Sequence, residues 1–370
     1  MILAKKVRLN PTEEQERQLW KSVGTARWVY NWTLSKQEES YKKEGKFISD
    51  GELRKELTQL KKTEEYSWLQ DVSNNVAKQA VKDACDAYKK FFKKLANKPR
   101  FKSRKRSKPS FYNDNNKLKV KKMLVLIEKV GWVKTSEQLP INTKYVNPRV
   151  SFDGKYWYLS VGIQQKHVHN DLTDNIIGID VGVKELAVCS NGMVFKNINK
   201  TKTVKKIEKR LRRLQRKVSR KYEMNKEGNR FVKTCNIIKT EKKIRLLHRR
   251  LMNIRTNHIH QTTNAIVKTK PSTVVMEKLN IKGMMKNKHL SKAIQNQKLY
   301  EFKRQMKYKC EFNGIKFIEA DKWYPSSKTC SKCGQIKKDL KLSERIFRCD
   351  CGLEIDRDLN ASINLAKLAN

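Results

Sequence analysis

Apolar residues alternate with polar ones over the first ten positions (Ile2, Ala4, Val7, Leu9), the period of a short strand. Asn10-Pro11-Thr12 breaks the pattern, and Thr12 with Gln15 three residues later makes a capping box that opens a helix. Apolar residues then recur at helical spacing through Leu19, Val23, Trp28 and Tyr41, and again from Leu69 to Leu95. Gly24 and the stretch 45–50 are the expected breaks in this mostly helical module. From 118 to 165 the period drops to two. LKVKKMLVLIEKVGWVKT, PRVSFDG and KYWYLSVGIQ read as short strands, with Asp153-Gly154 as a hairpin turn. A small β-barrel or sheet follows, completed by the N-terminal strand and interrupted by the helical segment.

At Asn175 the pattern changes again. NIIGIDVG is an apolar strand ending in a carboxylate, and VKELAVCSNG begins a second strand that turns at Asn191-Gly192. Ile207, Leu211, Leu214 and Val218 mark the apolar stripe of a long helix; Ile244, Leu247, Leu251 and Ile254 mark a second. PSTVVMEKLN is a buried strand that also ends in an acid, and KFIEADKWYPSS supplies one more. Strand, hairpin, helix and strand in that order predict an α/β core with a sheet buried on both faces.

Charge changes what these elements are for. Lys and Arg number 84 against 37 Asp and Glu, a net +47 whose self-repulsion calls for a polyanionic partner. An anionic membrane is the plainer alternative, but no apolar run approaches the roughly 20 residues of a spanning helix, and a long nucleic acid is the expected partner. The opening MILAKKVRLNPTEEQ has no apolar signal region. Eleven Lys or Arg and no acid lie between Lys89 and Lys108, interleaved with Phe91, Phe92 and Phe101 and followed by Phe111 and Tyr112. Cations that neutralise phosphates beside rings that stack on bases suit single-stranded nucleic acid. Arg100, Lys102, Arg104, Lys105 and Arg106 are the candidate contacts there. Between Lys200 and Arg230 fourteen basic residues face three acids, and Arg210, Arg213 and Lys217 are candidates on that helix.

Candidate chemistry sits in two sets. Asp180 and Glu277 close apolar strands, and Asp358 stands at the entry to the helix NASINLAKLA. A carboxylate beside buried strands is costly to ionise, and divalent cations held by convergent carboxylates remove that cost. Cys330-x-x-Cys333 and Cys349-x-Cys351, each pair followed by a glycine, have the composition of a closed, structural Zn²⁺ site. The second pair is one residue tighter than usual. Cys85, Cys189, Cys235 and Cys310 are scattered and read as structural, as do His167 and His169, which have no Cys or carboxylate nearby.

These residues carry a resemblance. GIDVGVKELAV at Gly178, VVMEKLNIKGM at Val274, WYPSSKTCSKCG at Trp323 and FRCDCGLEIDRDLNASINLA at Phe347 resemble the RuvC-like nuclease domain of the TnpB family. VRLNPTEEQERQLWKSVGTARWVYNW, NKPRFKSRKRSKPSF and RVSFDGKYWYLSVGIQ extend the similarity along nearly the whole chain. The resemblance implies an α/β, RNase H-like (RuvC) nuclease domain with a zinc-ribbon insertion, plus an N-terminal β-barrel (wedge) domain interrupted by a helical recognition lobe. The implied segments are 1–10 and 111–170 for the wedge and 11–110 for the helical lobe. The nuclease core with its basic hairpin spans 171–325, the zinc ribbon 326–352 and the closing nuclease segment 353–370. The family pattern places the third acid two residues before the Asn of Asn360-Ala361, which selects Asp358 and leaves Asp356 as the fallback.

The resemblance further implies a guide-RNA-directed DNA endonuclease of an insertion-sequence transposon. Asp180, Glu277 and Asp358 would hold two Mg²⁺, and Cys330, Cys333, Cys349 and Cys351 one Zn²⁺. The implied partners are a guide RNA from the transposon end and a double-stranded DNA target beside a short flanking motif, in a bacterial or archaeal cytoplasm at the nucleoid. A catalytically silent RNA-guided repressor is the alternative, although such relatives have lost triad acids and all three stand here. A ribosomal-type RNA-binding protein would match the charge but neither the acids nor the thiols. For a strand-joining transposase, no specific residue set is present.

Overall fold

Alternation at the start of the chain produces strand β1 (Ile2–Asn10), with Val7 and Leu9 buried. The computed structural model describes residues 1–165, 171–321, 323–341 and 344–369, so His167 and His169 lie outside the described residues. It divides into two units, Met1–Gln165 and Lys166–Asn370.

In the first unit the capping box forms: the Thr12 hydroxyl accepts from the Gln15 N–H, and the Gln15 side chain accepts from the Thr12 N–H. The helix it opens, α1 (Glu13–Glu44), runs unbroken through Gly24, contrary to expectation. One helical glycine costs about 1 kcal/mol, and the buried stripe of Leu19, Val23, Ala26, Val29 and Leu34 outweighs it. The break comes at Gly45, whose φ of 64° caps the helix in the left-handed region. Helices α2 (Asp50–Leu60) and α3 (Asn74–Phe92), with a 3₁₀ turn at Glu64–Asp71 between them, pack on α1 around Val29, Leu53, Leu57, Leu69 and Val81.

The strands β2 (Ser110–Tyr112), β3 (Lys119–Lys121), β4 (Leu124–Ile127), β5 (Gly131–Thr135), β6 (Tyr145–Phe152) and β7 (Trp157–Gln164) follow. They join β1 in an antiparallel sheet ordered β2-β6-β7-β1-β5-β4-β3, which makes the N-terminal strand a central one. The helices are therefore an insertion between β1 and β2. The expected barrel is not closed by hydrogen bonds: β2 and β3 are edge strands of three residues each, and no ladder joins them among the described residues. A bidentate pair from Arg149 on β6 to Asp83 on α3, at 2.8 and 2.9 Å, ties the insertion to the sheet.

The second unit is built on β8 (Thr173–Val181), β9 (Glu185–Cys189) and β10 (Val194–Lys196). Next come α4 (Lys202–Met224), a small turn of β11 (Lys226–Glu227) and β12 (Arg230–Phe231), and α5 (Cys235–Lys268). The chain returns through β13 (Pro271–Glu277), α6 (Ile281–Met284), α7 (Ser291–Gln297), α8 (Leu299–Phe312) and β14 (Lys316–Ala320). It ends with β15 (Ile346–Arg348), β16 (Glu354–Asp356) and α9 (Arg357–Lys367). The sheet order is β10-β9-β8-β13-β14, with β8, β13 and β14 parallel. Alternation sorts its two faces. Ile177, Ile179, Val274 and Met276 pack with Ile259, Ile266, Phe302 and Met306, residues of α5 and α8. Ile176 and Val275 pack on the other side with Leu365 of α9.

Candidate active site and metal centre

Strand alternation decides where the acids point. Gly178 and Asp180 follow Ile176 in steps of two, and Glu277 follows Val275, so both carboxylates project from the face that α9 covers. Met276 pairs with Ile179 in the parallel ladder, so Glu277 and Asp180 come next on neighbouring strands, at their carboxyl ends. Ligands of open α/β sheets bind at such ends. A Cβ on Gly178 would lie 1.9 Å from the Ser362 carbonyl oxygen; the missing side chain lets α9 sit directly on β8. Asp358 lies in the first turn of that helix, although the three carboxylates are not drawn together as closely as the four thiols of the cysteine cluster.

Asp180 feels the charges of both other acids. Burial pushes the Asp180 carboxyl up to about 7, the charges of Asp358 and Glu277 push it further, and Arg357 and the Val181 N–H pull it partway back. Burial also raises Glu277. Arg357 lies 3.3 Å from the Asp358 carboxylate, and both side chains are largely buried. Asp356, the fallback acid, is engaged elsewhere: it caps α9, accepting from the N–H groups of Asp358 at 2.9 Å and Leu359 at 3.1 Å. Half-buried carboxylates offering only oxygen donors are of the type that suits Mg²⁺.

The cysteine cluster is tighter. Among the described residues, Cys330, Cys333, Cys349 and Cys351 are the group whose ligand atoms all come within 4.8 Å of one another. Sγ–Sγ separations of 3.6 Å (Cys330–Cys351) and 3.5 Å (Cys333–Cys349) approach the ~3.8 Å that four 2.3 Å bonds to a tetrahedral Zn²⁺ require. Gly334 and Gly352 have φ of 80° and 82°, and each donates its N–H back across a knuckle, to Cys330 and Cys349 respectively. Burial raises the Cys330 thiol, but the N–H groups of Cys333 and Lys332 and the neighbouring thiols outweigh it and hold it at about 6. Phe347, Leu340 and Leu353 pack behind the sulfurs. The thiol set fits zinc.

The basic candidates divide. Arg100, Arg104, Lys105, Arg106, Arg210, Arg213 and Lys217 are exposed. Lys102 is not available in the same way. Its ammonium lies 3.6 Å from the centre of the Tyr30 ring, its backbone N–H donates to Asn31, and burial lowers its pKa. Of the interleaved aromatics, Phe92 and Phe101 are exposed, whereas Phe111 is a core residue of β2 and Phe91 packs on the helical core. Cys85, Cys189 and Cys310 are buried as expected; Cys235 is exposed at the start of α5.

Two groups were missed by sequence reasoning. Asn360 and Asn364, one turn apart and buried on α9, bind backbone beside Cys330. Asn199 and Gln297 link Arg255 of α5 to the Gly182 carbonyl, just beyond Asp180. Two amides at i and i+4 in an apolar helix face were the available signal for the first group. The second joins residues far apart in sequence and gave none.

Three family profiles match the chain: "Helix-turn-helix domain" over 1–46, "Probable transposase" over 160–288 and "Cas12f1-like, TNB domain" over 300–365. A Streptomyces pristinaespiralis protein named "Putative RNA-guided DNA endonuclease" is 32% identical over 97% of this chain and 87% of its own length. The Escherichia coli K12 protein InsQ, similarly named, is 30% identical over 98% of this chain and 91% of its own. Among solved structures, Cas12f1 in complex with sgRNA and target DNA superposes with a TM-score of 0.58 at 17% identity, covering 94% of this chain and 82% of that one. The mini RNA-guided endonuclease Cas_phi3 gives 0.53 at 10% identity, covering 100% and 92%. A mimivirus protein named TnpB-like is 24% identical over 99% of the chain. With sequence similarity of this extent, the chain belongs to the TnpB family.

Proposed function

We propose that this protein is a guide-RNA-directed, Mg²⁺-dependent DNA endonuclease of an insertion-sequence transposon, working through an RNase H-like (RuvC) centre made of Asp180, Glu277 and Asp358. One observation carries the reading: Asp180 and Glu277 lie side by side at the carboxyl ends of β8 and β13, where burial first, and then the charges of Asp358 and Glu277, raise the Asp180 carboxyl to about 7. The near-full-length relatives named as RNA-guided DNA endonucleases support it.

Asp180, Glu277 and Asp358 would hold the cations. Bound Mg²⁺ supplies stabilisation of the attacking and leaving oxygens in hydrolysis of a phosphodiester. The residues do the rest. Asp180 must give up the proton that its surroundings favour, and Glu277 lies beside it on the neighbouring strand. The Asp356 cap fixes the first turn of α9 and with it the backbone of Asp358. Cys330, Cys333, Cys349 and Cys351 would hold one structural Zn²⁺.

A net charge of +47 suits a long RNA and a heteroduplex, with sequence read by base pairing and the protein reading backbone and a flanking motif. The exposed cations of 100–106 and of α4 are the proposed backbone contacts. The segments 11–110 and 326–352 take the parts of recognition lobe and zinc ribbon in this scheme.

The test begins with the RNA that copurifies when the protein is expressed with its native flanking DNA. One discrete RNA ending in a variable segment is expected, and DNA matching that segment should be cut in Mg²⁺. Asp180→Asn should bind the same target and leave it intact, with a loss well beyond the roughly 100-fold typical of an outer-shell partner. Guided binding without cleavage by the wild-type protein would favour a silent repressor. Only bulk ribosomal and transfer RNA would remove the guided reading altogether.

A further inference from the structure

Helix α9 is held from two sides. On one side Ser362 and Ala366 press against the main chain of Gly178, at 1.9 and 2.5 Å from where a Cβ would stand. On the other, Asn360 donates to the Thr329 carbonyl at 2.7 Å and accepts from the Ser331 N–H at 3.0 Å. These two backbone groups flank Cys330. Asn364, one turn on, donates to the carbonyls of Ser326 at 2.8 Å and Thr329 at 2.6 Å. The Lys367 ammonium reaches the Ser331 carbonyl, and the Arg357 N–H donates to the Arg345 carbonyl at 2.8 Å.

Both amides are almost wholly buried, Asn360 at 0% exposure and Asn364 at 2%. Asparagine is a weak helix former, and a buried amide is unfavourable unless its bonds are made. Apolar side chains would pack here but would not fix register. An amide that both donates and accepts permits one rotation and one height of α9 against the segment carrying Cys330. Asp358 lies two residues before Asn360 on the same rigid helix.

We propose that Asn360 and Asn364 are positioning residues that transmit the folded state of the cysteine cluster to Asp358, so that seating the four thiols sets the geometry of the carboxylate site. The proposal rests on the reading of Asp180, Glu277 and Asp358 as the Mg²⁺ site. It gives the thiol cluster a part in catalysis although no thiol belongs to the carboxylate set. The helix acts as a ruler with Gly178 as its lower stop and the two amides as its upper one.

The test compares wild type with Asn360→Ala, each as full chain with its guide RNA. Zinc per chain, guided DNA binding, the Mg²⁺ concentration for half-maximal cleavage and the rate of zinc loss to a chromogenic chelator are measured together. The variant should keep one zinc and bind target normally, need about 10-fold more Mg²⁺, and lose zinc faster. An unchanged Mg²⁺ requirement in zinc-loaded Asn360→Ala overturns the proposal. Should that variant not fold, Lys367→Met, which removes only an exposed tether, must shift the Mg²⁺ requirement in the same direction; no shift overturns it equally. If wild type cuts nothing at any Mg²⁺ concentration, the reading of the carboxylates fails. Zinc release then decides the coupling alone, and equal rates in wild type and variant end it.

Discussion

The main chain of Gly178 lies against the carbonyl of Ser362 so closely that a single methyl group at position 178 would stand 1.9 Å from that oxygen. The obstacle is backbone, which has no rotamer to yield. Gly178→Ala should therefore lift α9 off β8, at a cost of about 3 kcal/mol, and move Asp358 away from Asp180. A lowered urea midpoint together with lost cleavage is expected. Wild-type stability and cleavage in this variant would show that the helix has room to shift.

Zinc should be present at one ion per chain and absent from Cys330→Ser. Because binding and folding of such a module are coupled, the variant should be cut by protease between Ser326 and Asp358 under conditions where wild type is intact. Atomic spectroscopy and limited proteolysis read the two halves of this expectation. Soluble, zinc-free Cys330→Ser with full activity would contradict it.

On α4, Ile207 and Leu211 are buried and Arg210, Arg213 and Lys217 are exposed. Replacing the three with glutamine removes three proposed phosphate contacts and leaves the core untouched. The slope of log K against log salt for guide RNA should become shallower by about 2, with little change in the unfolding midpoint. An unaltered slope would place these cations away from the RNA.

Lys309 gives a pH dependence independent of any metal. Burial holds its amine at about 8, and its ammonium donates to the His260 carbonyl at 3.0 Å and the Thr263 hydroxyl at 2.8 Å. A lysine with a lowered folded pKa binds its proton more weakly in the folded state than in the unfolded. The cost of burying the charge is thus complete below pH 8 and is relieved as pH climbs toward the unfolded value near 10.4. Wild type should gain stability relative to Lys309→Met between pH 8 and 10. Parallel urea midpoints across that range would show that the amine titrates normally.

Local pattern reached far into this fold. The capping box at Thr12, the turn at Gly154, the apolar stripe of α4 and the three acid-bearing segments all depend on residues within a few positions of one another, and these were readable. Where a distant partner decides, the reading failed. Nothing in the sequence signalled that the Tyr30 ring lies beneath the Lys102 ammonium. Phe111 looked like a stacking ring, yet its strand turns it into the core. Gly24 looked like a break because a glycine's cost is local while the burial that offsets it comes from Leu53, Ala77 and their neighbours on other helices. For the carboxylates, types and positions were legible. The close seating of α9, which carries Asp358, on β8, which carries Asp180, depends on the absent side chain of Gly178, whose meaning needs α9 in place.

The central position of β1 bears on how the chain is made. Its partners on β7 run from Trp157 to Gln164, and those on β5 are Lys134 and Thr135. On a ribosome adding roughly 5–20 residues per second, β1 waits on the order of 10 s or more for the strand that covers it. Its neighbours α1, α2 and α3 can assemble meanwhile, since their contacts close within the segment between β1 and β2. During that interval both edges of β1 are open to strands of other nascent chains. Lys5, Lys6 and Arg8 put three positive charges along it, and such charges discourage edge-to-edge pairing. The basic character that suits the finished protein to a polyanion also keeps its first strand solitary until its own partner is translated.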